Sequence, residues 1–182
     1  MKEQFFPTNF YGKDIQLNNQ ELAQHIINWS QQDQGVKKTN VTGWHSQTDM
    51  QTKPEYKSLV DELFIFIKEI WKEEWLDSAP VLGNMWANIN YKGGYNKPHV
   101  HPNTLFSGVY YVKTPPNCGK LVCNDPRPGI QTVMPTRVKG KPPKHLWREV
   151  YLDPVEGRII IFPAWLWQIL AYQSSHKDAC TT

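Results

Sequence analysis

Apolar residues recur at helical spacing in the first half of the chain and at alternating spacing in the second. Leu22, Ala23, Ile26 and Ile27 follow the start Asn18-Asn19-Gln20-Glu21, where an Asn cap with Glu three residues on predicts a helix N-terminus. His25 lies beside this stripe and reads as a flank residue, and Gly35 ends the region. Residues 36–52 are polar and read as a long loop, with Trp44 as an anchor in preference to a pocket cover, and with His45 embedded. Thr52-Lys53-Pro54-Glu55 has the form of a capping box. Behind it Tyr56, Leu59, Val60, Leu63, Phe64, Ile67, Ile70, Trp71 and Trp75 predict an amphipathic helix of about six turns.

From residue 84 the period becomes two. Trp86, Asn88 and Asn90 share one face of a strand, opposite Met85, Ala87, Ile89 and Tyr91. Gly93-Gly94 reads as a turn. Further strands are expected at residues 106–112, 120–123, 147–152, 158–162 and 165–172, with a short edge strand or lead-in at 5–11 and a Pro-, Gly- and Lys-rich insertion at 126–145. Helices first and short strands after predict an α+β fold: a β-sandwich or barrel with helices packed outside it. Neither an internal repeat nor a linker divides the 182 residues.

Composition adds limits. A formal charge of +3 does not call for a polyanionic partner, and the cluster Arg137, Lys139, Lys141 and Lys144 reads as a solvated loop, which argues against nucleic acid. Three cysteines without a CxxC favour neither a disulfide framework nor a zinc site. The N-terminus lacks a signal-peptide core and no run reaches membrane-spanning length, so the expectation is a soluble protein of the reducing cytoplasm.

The chemistry gathers at Pro98-His99-Val100-His101-Pro102-Asn103. In an extended segment residues i and i+2 point the same way, so His99 and His101 can offer two nitrogens to one transition metal. An Fe(II) oxygenase site uses two His and one carboxylate and leaves its other positions for a 2-oxo acid and O₂.

Five stretches carry a resemblance. They are Asn84-Met85-Trp86-Ala87-Asn88, Tyr95 through Asn103, Ser107-Gly108-Val109-Tyr110-Tyr111-Val112, Asp125-Pro126-Arg127, and Glu156 through Leu166; Thr42-Gly43-Trp44-His45-Ser46 matches more loosely. Together they resemble the small family of 2-oxoglutarate/Fe(II)-dependent oxygenases found in cyanophages and bacteria, relatives of the prolyl hydroxylases. The resemblance implies a double-stranded β-helix (jelly roll) over residues 84–172 with residues 1–80 as helical support. It further implies Fe(II) and 2-oxoglutarate, a protein or small-molecule substrate, and a cytoplasmic location (the host's, if phage-encoded). Position by position it implies His99 as first metal ligand, with His101 where relatives have the carboxylate. Tyr111 falls on the tyrosine that hydrogen-bonds the co-substrate carboxylate, with a core tyrosine as the even alternative. Asn88 is a plausible pocket amide. Asp125 and His176 are alternative third ligands, neither favoured, and Asp125 reads first as a turn residue before Pro126.

Two departures stand out. Gln168 occupies the position of the family's distal histidine, and no Arg follows Arg158 to hold the co-substrate; Lys177 offers a charge without the fork. The final strand is expected to be missing. The expectation is therefore an oxygenase of the family, with a catalytically impaired pseudoenzyme or binding module on the same jelly roll as the alternative.

Overall fold

The computed structural model describes residues 1–129, 132, 135–170 and 180–182. In chain order they form β1 (Tyr11–Asp14), α1 (Asn19–Gln32), β2 (Asn40–His45), α2 (Lys57–Glu73), β3 (Asn88–His99), β4 (Phe106–Tyr110), β5 (Leu121–Asn124), β6 (Glu149–Leu152), β7 (Arg158–Pro163), β8 (Gln168–Leu170) and β9 (Cys180–Thr181). Two antiparallel sheets result. One has the order β1-β7-β4; the other runs β2-β3-β8-β5-β6, with β9 also paired to β3.

The first helix begins where the sequence places it. Asn18 Oδ1 accepts the Glu21 N–H at 3.2 Å, and Asn18 Nδ2 donates back to Glu21 Oε2 at 3.0 Å. The second start differs. Thr52 Oγ1 donates to the Asp49 carbonyl, and Met50–Thr52 and Pro54–Tyr56 form two short 3₁₀ turns. Among the described residues no side chain caps α2, which begins only at Lys57 and ends before Trp75. Trp75 has φ 55° and is almost fully exposed, so the helical stripe stops a turn earlier than its spacing predicts.

Strand β7 explains why the N-terminal helices are needed. Ile159 and Ile161 pack into a cluster with Leu22, Ile26, Leu59, Phe66 and Ile70 of the helices. Ile160 and Phe162 point the other way, into a second cluster with Tyr111, Leu121, Cys123 and Leu166. The period of two thus divides one strand between two interiors. Each fully buried Ile or Phe contributes roughly 1.5–3 kcal/mol by the area it removes from water. The helices cover one face of the small sheet; its other face packs on Leu121 and Cys123 of the large sheet.

Three expectations are corrected in this frame. The supposed loop 36–52 contains β2, and Trp44 is a buried strand residue whose indole N–H donates to the Asp33 carbonyl at 2.8 Å. Gly93-Gly94 is not a turn between strands but a bulge within the long β3, where the register with β2 shifts between Val41 and Gly43. Gly93 has φ 81°, and a Cβ on Gly94 would lie 2.4 Å from the Thr42 carbonyl oxygen. Finally, Cys118 is disulfide-bonded, a pairing the odd cysteine count did not announce, whereas Cys123 is free and buried. No helix among the described residues is long and apolar enough to cross a membrane.

Candidate active site

The bulge lets β3 continue to His99, its last residue. There His99 stands opposite Gln168 in the β3–β8 ladder, and Gln168 stands opposite Cys123 in the β5–β8 ladder. Beyond His99 the chain turns through Pro102 and Asn103, whose φ of 62° is a conformation Asn tolerates. The His101 N–H donates to the Ala164 carbonyl at 2.9 Å, which ties the turn to the corner after β7.

The two imidazoles are brought together as their spacing predicts. Their ring centroids lie 5.0 Å apart. His99 Nδ1 lies 2.7 Å from the Lys97 carbonyl oxygen. A carbonyl only accepts, so Nδ1 carries a proton and donates it there. The Gln168 amide nitrogen sits 2.5 Å from His101 Nε2 and 3.4 Å from His99 Nε2. Its two N–H groups can each meet one imidazole lone pair. Burial, with His99 close by, pushes the His101 pKa down to about 4, so this ring is neutral at ordinary pH.

One member of the cluster was missed by sequence reasoning. His45, at the end of β2, is buried and stacks on Trp86 at 5.5 Å with the rings 9° from parallel. Trp86 in turn tilts against His101 at 5.7 Å. His45 Nδ1 donates to the Ser46 carbonyl at 2.7 Å, and burial lowers its pKa. The available signal was the loosely matching stretch around Trp44-His45-Ser46, read there as loop.

Tyr111 is fully buried in the inner apolar cluster, and its hydroxyl has no hydrogen-bond partner among the described residues. Burial raises its pKa, so it stays a neutral donor. Asn88 is buried beside His45 in the β2–β3 register, and its Oδ1 is likewise without a partner. Asp125 is not gathered to the histidines. Arg127 holds its carboxylate through three contacts at 2.5, 2.9 and 3.2 Å and donates its backbone N–H at 3.1 Å, an Asx turn as its place before Pro126 suggests. Arg158 is bound to Asp14 at 2.6 and 2.8 Å. His176 and Lys177 lie outside the described residues.

The His pair sits where β3 of the large antiparallel sheet ends. Residues 84–181 match the family described as "Putative 2OG-Fe(II) oxygenase", and the chain belongs to it. Among solved structures it is similar to a Pseudomonas putida prolyl-4-hydroxylase, at 12% identity and a TM-score of 0.62 over 96% of this chain and 90% of that one. It is also similar to a prolyl hydroxylase from Trichoplax adhaerens in complex with a hypoxia inducible factor oxygen degradation domain peptide fragment, at 12% identity and a TM-score of 0.57 over 94% and 81%. No curated protein matches the chain.

The residues can be tested against the groups that the family implies. Donors about 2.1 Å from one metal stand roughly 3 Å apart, and the spacing of the two Nε2 atoms from the Gln168 amide is of that size. The donor chemistry fails. Among the described residues no group of three His, Cys, Asp or Glu side chains is placed to hold a metal. The third position carries a neutral amide, so the set does not fit Fe(II) as a two-His-one-carboxylate site. The Tyr111 hydroxyl is a buried donor without a partner among the described residues.

Proposed function

We propose that this chain is a single-domain jelly-roll member of the oxygenase family whose pocket binds a 2-oxo acid but whose Fe(II)-dependent turnover is impaired. The observation that carries this reading is the Gln168 amide at 2.5 and 3.4 Å from the two imidazole Nε2 atoms. An amide can donate to both lone pairs at once, which leaves the histidines satisfied without a cation. An ionised carboxylate there would bring no donor to either ring. In this reading Tyr111 donates its hydroxyl to the acid, and Asn88 with Trp86 lines the approach for the primary substrate.

A second reading, a competent dioxygenase that hydroxylates a protein segment or small molecule with His99 and His101 as ligands, is favoured by one feature. The His99 Nδ1–H to Lys97 carbonyl bond is the outer-shell contact that orients metal-ligating histidines. Succinate release with Fe(II), 2-oxoglutarate and O₂ separates the two. Release at the no-enzyme background is expected; release well above it in the unmodified chain would establish the second reading.

A further inference from the structure

Strand β3 carries a buried polar pair that the fold does not use. Asn88 and Asn90 lie two residues apart, so their side chains share a face. In the β2–β3 register Asn88 stands opposite His45 and Asn90 opposite Gly43, and opposed residues point to the same side. Trp44 and Ile89, the opposed pair between them, point the other way, into the cluster packed on the helices. The Asn88–Asn90 face is therefore the face of His45, which stacks on Trp86, and Trp86 tilts against His101.

Asn90 is 2% exposed, and neither its Oδ1 nor its Nδ2 has a hydrogen-bond partner among the described residues. Asn88 Oδ1 is in the same condition. Neighbouring buried polar side chains are not. Ser46 Oγ donates to the Gln47 carbonyl at 2.6 Å and accepts the Ala87 N–H at 3.0 Å, and Asn96 Nδ2 donates to Thr39 Oγ1 at 3.2 Å. A buried amide without partners costs stability that an apolar side chain of the same shape would not. Its place is nonetheless built. A Cβ on Gly43 would lie 2.9 Å from Asn90 Oδ1, so the glycine opposite is what seats the amide.

We propose that Asn90, with Asn88 beside it, is a binding subsite for a primary carboxamide. The proposal deepens the reading of this face as the approach for the primary substrate and rests on it. An unpartnered carboxamide offers a donor and an acceptor side by side, and turning the group over offers the same pair. A primary carboxamide presents the complementary pair along one edge. A trans peptide group does not, because its N–H and C=O point apart. A carboxylate only accepts, so it would leave Asn90 Oδ1 and Asn88 Oδ1 without a donor. At 2% exposure Asn90 is out of reach of a flat protein surface, so the occupant is a single side chain or a small molecule.

The test is an NMR titration of the ¹⁵N-labelled full chain without iron, read at the side-chain NH₂ pair of Asn90, which is identified by its absence from N90L. Acetamide is expected to shift that pair saturably, and acetate and N-methylacetamide are not. N90L keeps the shape and removes polar atoms that have no partner, so it should fold; N90A is the second variant. Read at the Asn88 side-chain pair, either should weaken acetamide binding by about tenfold or more. The peptide Ac-Gly-Gln-Gly-NHCH₃ separates the two sources: saturation by it assigns the subsite to a glutamine-type side chain, and saturation by acetamide alone to a small amide. Saturation by neither, which would leave an internal water as the only occupant, an equal response to acetate or N-methylacetamide, or unchanged affinity in both variants would each overturn the proposal. 2-Oxoglutarate is titrated in the same samples. A protein that takes it up but takes up no amide fails this proposal alone; one that takes up neither fails the underlying reading as well.

Discussion

Gln168 stands directly opposite His99 in the β3–β8 ladder, and its amide nitrogen lies 2.5 Å from His101 Nε2. A single residue on the central strand of the large sheet thus meets both histidines of the Pro-His-Val-His stretch. The amide nitrogen carries two N–H groups, one for each ring. Replacing Gln168 with Glu would set a carboxylate against the same two rings. Q168E is expected to lower thermal stability without metal and to gain more stability than the unmodified chain when a divalent cation is added. Melting curves with and without Co(II) check this; equal gains in both proteins would contradict it.

Tyr111 to Phe separates packing from ligand binding. Its hydroxyl makes no hydrogen bond among the described residues, so removing it should leave stability to urea unchanged or slightly raised. The same change should weaken 2-oxo acid binding, by about 1 kcal/mol for a lost neutral hydrogen bond. Calorimetric titration that finds equal affinity would place the hydroxyl outside the binding site.

Trp86 is the wall between His45 and His101. W86A should destabilise the fold by about 2 kcal/mol, less than for a fully buried aromatic because Trp86 is only half-buried. Urea unfolding measures this, and a loss within error of zero would mean that the stack does not support the cluster.

How much of this was legible in the sequence varies by residue. His99 and His101 converge because a spacing of two in extended chain has one geometric outcome. Gln168 was visible as a departure from a family pattern, but its contact with both imidazoles required the β3–β8 register. His45 was hidden because β2 lacks the strong alternation of a half-buried strand; Asn40, Thr42 and Gly43 read as loop. Gly93-Gly94 carries the same local signal whether it turns a hairpin or bulges a strand, and only the Thr42 carbonyl pressed against Gly94 distinguishes them. At Thr52 the motif was present, but the Asp49 carbonyl took the hydroxyl first. The polar end of the chain gave no strand signal, yet Thr181 is buried and pairs with Ile89.

Acid should loosen the base of the insertion. The Arg127 guanidinium holds the Asp125 carboxyl below the usual carboxylate range. Its folded pKa lies under the unfolded value of about 3.9, so the stability it contributes is full above that pH and is lost as the pH falls through the folded value. D125N should lack this part of the acid dependence. Urea midpoints at about pH 5 and about pH 3 should therefore fall further in the unmodified chain than in D125N; parallel falls would show that the pair is not linked to folding.

The most direct test of the closed His99–His101–Gln168 cluster is an anaerobic titration of Fe(II) with 2-oxoglutarate, followed by the visible charge-transfer band, in the unmodified chain and in Q168H. No band in the unmodified chain and a band in Q168H is the expected result. A band of equal strength in the unmodified chain would contradict it.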